Sequence, residues 1–581
     1  MALVQDDLTG PTLSRRARLE SLWGALDVER SSFTGHWRLL GDHILPRRTR
    51  FFLSDNNKGD RRSNKIIDST ASFSARTLQA GMMAGITSPA RPWFRLTTPD
   101  PDLADVSAVK EWLHTTTQRM NTVFLRSNLY NALPIVYGDI GVFATAAMAV
   151  MEDEEDIIRC HTFPLGSFVL ANDAELRVRV FMREFTLSVR QIVEKFCPLV
   201  EGKRDLSQCS ATIRDAWTRG DAALEARHDI MHAVYPNPMA DPRKLASKYK
   251  AFASCYWEKN SKRDENPFLK EEGFDEFPIL APRWEVSGED VYGTNGPGMM
   301  ALGDIMQLQL GEKRAAQALD KLVNPPMKGP TSLLTSPVNM LPGGMTWVDT
   351  NAGSQTLEPS YKIDPRFDHL EAKQAQVRLR IQRAFHEDLF LMLAQSDRRQ
   401  ITAREIEERH EEKLLALGPV LERLNTDLLD PLIDRTFAIM VRRGLIPRPP
   451  QELEGVKLRV EYISIMQQAQ KLVSLVGVDR FAGFAVQLAT VNRDVMDKVD
   501  FDEIIEEYGE ATGIAPKILR PDDEVAAIRQ ARQQGEAALQ RAAVLKDATA
   551  GAKNLAQADT SGKNALTDIL AGGAAAGGVP A

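Results

Sequence analysis

One helix, announced and ended by proline, constrains this chain more than any other feature. Tyr292-Gly293-Thr294-Asn295-Gly296-Pro297-Gly298 is a turn cluster with Pro near a first helical position, and Asn324-Pro325-Pro326 ends the segment begun there. Proline suits a helix start, where its missing N–H would go unpaired in any case, and it breaks an interior. Between these signals Ala301, Ile305, Leu308, Ala315, Leu319 and Leu322 fall on one stripe, which is the spacing of an amphipathic helix. At 1.5 Å per residue, Gly298–Val323 makes a rod of about 39 Å.

Periodicity orders the remaining segments. Apolar residues from Leu19 to Leu40 predict one or two helices within Thr12–Leu45, and Asp68–Ile86, Val106–Ser127 and Leu129–Met151 read as further helices, the last broken around Gly138 and Gly141. After the acidic turn Glu152–Asp156 the period becomes that of strands, at Ile157–Phe163, Phe168–Leu170 and Arg177–Phe185. Leu187–Phe196 returns to helix, capped by Thr186 or Ser188. Ile230–Tyr235, Phe252–Glu258 and Pro278–Glu285 predict strands of a small mixed region. Beyond the rod, Met327–Pro359 is rich in Gly, Pro, Ser and Thr, with strand-like pieces such as Met345–Val348. A second long helix starts near Asp364-Pro365-Arg366, and a third at the capping box Thr402–Glu405, kinked at Pro419. More helices are expected over Asp430–Arg443, Ile463–Leu475, Asp479–Tyr508 and Pro521–Lys546. Residues 548–581 hold eleven Ala and six Gly, a tail expected to be mobile or to order only in an assembly. The fold class is α+β, predominantly helical.

Composition bounds the function. At roughly 150 residues per domain, 581 residues make about four units, or the segments of one elongated subunit. A hydrophobic share of 43% excludes a disordered chain. The four cysteines, Cys160, Cys197, Cys209 and Cys255, are too few and too scattered for a disulfide framework. Met1–Gly10 does not resemble a secretory signal. The longest apolar run, Ile140–Met151, is shorter than the about 20 residues a membrane span needs, so no membrane role and an intracellular origin are expected. Lys plus Arg number 72 against 79 Asp plus Glu, a net charge of -7, which argues against nonspecific coating of nucleic acid. Between His43 and Lys65 the bias reverses, with seven basic residues against Asp55 and Asp60, a solvated loop or a contact for an anionic partner.

Catalytic patterns are missing. Ser561-Gly562-Lys563-Asn564 lacks the upstream Gly and the hydroxyl after Lys that a phosphate-binding loop requires. His386-Glu387 and His410-Glu411 lack a second histidine four residues on, so both are expected to be solvent-facing helix residues. No cofactor, metal or catalytic residue is predicted. A scaffold or assembly subunit fits best, and a nucleic-acid processing enzyme of packaging, an ATPase or nuclease with its site hidden in the acidic runs, is the alternative.

The run Pro282-Arg283-Trp284-Glu285-Val286-Ser287-Gly288-Glu289-Asp290-Val291-Tyr292-Gly293, continuing through Gly296-Pro297-Gly298 into Ala301-Leu302-Gly303-Asp304-Ile305 and Asn324-Pro325-Pro326, resembles the portal, or head-to-tail connector, proteins of short-tailed double-stranded DNA phages. Tyr137-Gly138-Asp139-Ile140-Gly141 and Val180–Leu187 support it, and the resemblance covers roughly residues 15–510. It marks Trp284, Gly288, Glu289, Tyr292, Gly293, Gly296 and Pro297 as structural motif residues.

What the resemblance implies is a homo-oligomeric ring, usually of about twelve subunits, at one capsid vertex. Such a ring is the conduit for double-stranded DNA in packaging and ejection and the docking platform for terminase and tail. Its expected partners are the terminase large subunit, the major capsid and scaffolding proteins and tail adaptor proteins; its location is the virion, with the host cytoplasm during assembly. Laid on this chain, the family's plan places an N-terminal wing at 1–185, a first stem region at 186–229, the clip at 230–290 and the second stem helix at 291–324. Wing strands and a tunnel loop come next at 325–363, then a long wing helix at 364–400, a crown at 401–520, and a barrel helix with the Ala/Gly-rich tail at 521–581. Lys328 and Lys362 flank the tunnel segment and are the candidates for facing DNA.

Overall fold

The computed structural model describes residues 14–48, 62–100, 103, 106–259, 261, 268–328, 358–359, 367–390, 418–453, 455–456 and 458–463, and, further on, 481, 483–485, 487, 499–500, 502–505 and 522–556. The chain divides into two units, Met1–Arg480 and Phe481–Ala581.

The first unit opens with α1 (Arg15–His43), whose first turn is capped by the Ser14 hydroxyl accepting from the Ala17 amide. Helix α2 (Thr70–Ile86), strand β1 (Phe94–Thr97), α3 (Ser107–Arg126) and α4 (Leu129–Phe143) come next. The chain then enters β2 (Ala147–Asp153), β3 (Ile157–Phe163), β4 (Phe168–Asn172) and β5 (Val178–Ser188). A small layer consists of α5 (Val189–Phe196), the short hairpin β6 (Leu199–Val200) and β7 (Lys203–Arg204), and α6 (Ala211–Arg219). Ser188 caps α5 through a full capping box with Gln191. Strands β8 (Arg227–Pro236), β9 (Phe252–Glu258), β10 (Lys270–Phe274) and β11 (Ile279–Leu280) lead to the rod, α7 (Pro297–Val323). Last come β12 (Met327–Lys328), β13 (Glu358–Pro359), α8 (Phe367–Ala384), α9 (Asp430–Arg442) and β14 (Arg459–Tyr462).

Two antiparallel sheets organise this unit. One runs β10-β9-β8-β5-β4 and the other β11-β2-β3. In the larger sheet the side chains alternate as the pleat requires. Met231, Ala233, Cys255 and Trp257 face Leu19 and Leu26 of α1, while Ile230 and Tyr256 face Ile192, Val193 and Ile213 of the small helical layer. The smaller sheet joins α2, α4 and the start of α7 in the main core, with Val377 and Ile381 of α8 and Leu432 and Ile433 of α9. The expected small mixed region is divided between the two sheets: Ile230–Tyr235 and Phe252–Glu258 lie in the larger one beside β5 and β4, whereas Ile279–Leu280 pairs with β2 in the smaller one, and the boundaries at 185 and 230 fall inside β5 and β8.

Several expectations are corrected. The apolar run after Leu129 is not one helix broken at Gly138 and Gly141: α4 passes through both glycines, ends where Ala144 turns left-handed at φ 59°, and resumes as β2. Both glycines serve packing, since a Cβ on Gly141 would lie 2.3 Å from Leu78. The stripe on α7 divides. Ala301, Ile305 and Leu308 are buried, whereas Leu319 and Leu322 are about half exposed. Only Ile279–Leu280 of the run Pro278–Glu285 forms a strand. His386 and Glu387 are not solvent-facing. His386 turns left-handed at φ 53°, stacks near Trp284 and is half buried, and Glu387 accepts from the Ser74 hydroxyl at 2.8 Å. The four thiols are buried, and tertiary folding brings Cys197 Sγ to 3.2 Å from Cys209 Sγ. The expected capping box at Thr402–Glu405, His410-Glu411, all of the helix Ile463–Leu475 after Ile463, and the strand piece Met345–Val348 lie outside the described residues.

In the second unit, α10 (Asp522–Ala556) is a helix of 35 residues, about 52 Å long. Its Arg529 grips both carboxylate oxygens of Asp502 at 2.7 and 2.8 Å.

Candidate functional site

The motif residues assemble the point where α4, β4, the turn before α7 and the α9 approach meet. Residues 285 and 294 form an antiparallel bridge, closed by the Thr294 amide donating to the Glu285 carbonyl at 2.8 Å. Gly288 supplies the left-handed residue of this loop at φ 59°, and both Gly288 and Glu289 are exposed on it. Tyr292 plugs the interior. Its ring packs against Trp37 and Phe33 of α1 at 5.1 and 5.2 Å between centroids, and its hydroxyl accepts the Leu170 amide at 3.2 Å. Because β4 is the sheet edge, that hydroxyl satisfies an amide that would otherwise be an unpaired edge donor. Burial pushes the Tyr292 phenol well above its ordinary range, so it stays neutral.

Gly293 lies against the turn at Ala144. Its amide donates to Thr145 Oγ1 at 2.8 Å, and the Trp284 amide donates to the Ala144 carbonyl at 2.9 Å. A Cβ on Gly293 would sit 2.0 Å from that carbonyl oxygen, and one on Gly298 would sit 2.6 Å from the Val142 carbonyl. Gly296 is the N-cap of α7 and Pro297 its first residue. The motif therefore brings Trp284, Tyr292, Gly293, Gly296 and Pro297 together, whereas Gly288 and Glu289 stand apart on the loop.

Two anchors of this junction carry no sequence signal of their role. Arg283, 2% exposed, donates to both oxygens of Asp427 at 3.1 and 3.3 Å and also to the Leu176 carbonyl and Asn172. Asp427 lies in a π-turn, Asn425–Leu429, that feeds into α9, so one guanidinium ties the motif to a segment 144 residues away. Gln309, buried on α7, accepts from the amides of Ile67 and Asp68 at 2.6 and 2.9 Å and donates to the Asp68 carbonyl at 2.7 Å. Arg378 of α8 completes that clamp by bridging Asp68 and Glu312.

The motif Tyr137–Gly141 holds an ion pair. Asp139 on α4 is 2% exposed and accepts Arg48 Nε at 2.9 Å with a second, closer contact to Nη2. Burial outweighs the guanidinium and raises the carboxyl to about 6. Arg48 and Lys65, which pairs with Asp42, thus place two of the seven basic residues of the 43–65 stretch in ion pairs.

Of the DNA candidates, Lys328 is exposed on β12, in register opposite Glu358 of β13. That two-residue ladder pairs Met327–Lys328 with Glu358–Pro359. Lys362 lies outside the described residues. Among the described residues no helix is long and apolar enough to cross a membrane, and no group of three or more His, Cys, Asp or Glu is placed to hold a metal ion.

Residues 16–519 match the family described as bacteriophage head to tail connecting protein. The chain is 45% identical over 556 residues to the portal protein of Salmonella phage epsilon15, covering 96% of this chain and 98% of that protein. It is 42% identical over 556 residues to a probable portal protein of Bordetella phage BPP-1, with the same coverage. A match over residues 16–519 spans both sheets, the motif junction and the rod, and on it the chain belongs to the bacteriophage head-to-tail connecting protein family.

Proposed function

We propose that this chain is the subunit of a phage portal: a ring of about twelve copies at one capsid vertex, through which double-stranded DNA is packaged and ejected. The observation that carries this reading is the near full-length identity to proteins named as portals. In it the chain is a structural connector of the virion with no catalytic site of its own, assembled in the host cytoplasm. Terminase supplies the work of packaging, capsid and scaffolding proteins surround the ring, and tail adaptors dock on it.

The same reading assigns the segments. Helix α7 is the second stem helix, the sheet built from β8 to β10 belongs to the clip, and α8 is the long wing helix. The segment between β12 and β13 is the tunnel loop. The described side chains of α10 are nearly all exposed, and a helix without a buried face gains its stability from neighbours, as it would in a barrel of many copies. The exposed Leu319, Leu322 and Val323 of α7 are suited to contact between copies for the same reason.

A passage for moving DNA cannot neutralise many phosphates at once, since each adds counterion-release affinity. Lys328 and Lys362 are proposed as sparse guides. Replacing both by Ala is expected to leave ring assembly intact and to reduce the amount of DNA packaged; unchanged packaging removes the assignment. Negative-stain microscopy of the purified protein tests the portal itself. Rings with a central hole are expected, and monomers at every salt concentration, or ATP hydrolysis by the purified chain, overturn the reading.

A further inference from the structure

Between the two sheets lies a cavity of about 520 Å³, within the size range of small-ligand and peptide side-chain sites. The motif junction does not use it. Its floor is a row of three residues in direct register across β5, β8 and β9: Arg183 opposite His232, and His232 opposite Tyr256. Arg183 Nε donates to His232 Nδ1 at 3.3 Å, and His232 Nε2 meets Ser254 Oγ at 3.0 Å. The imidazole stacks on Tyr256 with centroids 3.9 Å apart and rings 4° from parallel. These contacts hold His232 neutral, in the tautomer whose Nδ1 accepts.

The walls are aromatic and the charge is positive. The Arg183 guanidinium lies over Phe163 and Phe185 at 4.6 and 4.3 Å. Lys195 Nζ, reaching in from α5, lies 5.5 to 5.9 Å from the rings of Phe185, Phe196 and Tyr256. The acids nearby are engaged elsewhere, Glu184 with Lys259 and Glu272 with Lys270, each at 2.5 Å. Among the described residues neither Arg183 nor Lys195 makes an ion pair with a carboxylate. Arg183, Lys195 and Lys270 thus share one space with the carboxylates of Glu184 and Glu272; Lys259 and Lys270 hold those acids, Glu272 offsets Lys195 only in part, and the balance inside is positive. Burial, then Arg183 and Lys195, depresses both His161 and His232, consistent with a positive field inside.

We propose that this cavity is a docking pocket for an acidic peptide segment of a partner protein, with one carboxylate held by Arg183 and Lys195 and an apolar neighbour seated on the aromatic walls. A planar guanidinium backed by rings is built to take a carboxylate in its own plane, and aromatic faces favour a flat or aliphatic flank over a bare ion. A DNA duplex is too wide to enter a cavity of this volume. The assignment does not depend on the portal reading.

Full-length protein is titrated with a fluorescein-labelled peptide of alternating Glu and Phe, and binding is read by fluorescence anisotropy. Saturable binding is expected, weakened about ten-fold in Lys195→Glu and less in Lys195→Met. Lys203→Glu, on the exposed hairpin strand β7, is expected to bind as the unsubstituted protein does. Lys195 is exposed at the pocket mouth, so an unchanged melting temperature verifies that its variants fold. No saturation by about 1 mM peptide, or equal affinity in Lys195→Glu, overturns the proposal. Displacement of the peptide by an equal concentration of inorganic phosphate or by a duplex oligonucleotide also overturns it, by assigning the pocket to a small anion or to nucleic acid.

Discussion

Adding one carbon at Gly293 is expected to dismantle the motif junction. The new Cβ would stand 2.0 Å from the Ala144 carbonyl oxygen and 2.9 Å from its carbon, against an ordinary contact near 3.4 Å. Both atoms belong to the backbone, so neither can rotate away, and the two chains must separate by more than 1 Å. That movement breaks the Trp284 amide bond to Ala144 and the Gly293 amide bond to Thr145. Overpacking of a core costs about 1–3 kcal/mol, and each buried donor left unpaired costs about 1–3 kcal/mol more. The expected loss in Gly293→Ala is about 3–9 kcal/mol, a large part of the about 5–15 kcal/mol that holds a domain folded. Gly298→Ala meets the Val142 carbonyl at 2.6 Å and is expected to lose less. Gly303 is exposed on the same helix with nothing within 4 Å of its would-be Cβ, so Gly303→Ala is expected to gain up to about 1 kcal/mol in helix propensity. Thermal unfolding of the three full-length variants therefore ranks Gly293→Ala lowest, Gly298→Ala next and Gly303→Ala at or above the unsubstituted protein. A Gly293→Ala protein melting within about 1 °C of the parent would refute the reasoning.

Arg283→Met strands the Asp427 carboxylate in the interior and is expected to destabilise by about 3–5 kcal/mol, while the double variant Arg283→Met with Asp427→Leu recovers most of it; urea unfolding of the cycle checks this, and additive effects contradict it. For Asp139 the folded carboxyl titrates near 6, above its ordinary 3.8, so the unfolded chain releases the proton first as pH rises. Stability from this group is greatest below about pH 4, falls between about 4 and 6 by up to about 3 kcal/mol, and is level above. Asp139→Asn is expected to flatten that window in urea midpoints measured from pH 4 to 7, and parallel curves for the two proteins would exclude it.

Local signals were legible wherever the deciding atoms lie a few residues apart. The Pro297 start and Asn324 end of α7, the Ser188 cap of α5 and the alternation in β3 all depend on neighbours within one turn or one pleat. The passage from α4 to β2 was not legible. Residues 140–150 are buried throughout, so neither a 3.6 nor a 2.0 period marks which structure they take, and the left-handed Ala144 that separates them carries no glycine. The stripe on α7 looked uniform for a related reason: an amphipathic pattern records what a helix can bury, not where a partner is present to cover it.

By itself the sequence determined the class of fold, its long helices and, through the run from Pro282 to Pro326, the family. Tertiary structure alone decided how the motif works: that Tyr292 caps an edge strand, that Gly293 is there because a carbonyl occupies the place of its Cβ, and that Arg283 reaches Asp427 across 144 residues. It alone also put Arg183, His232 and Tyr256 in one row beneath a cavity. Propensity, capping and turn chemistry act along the chain within a few residues, whereas strand order and buried ion pairs join segments whose separation leaves no periodic trace.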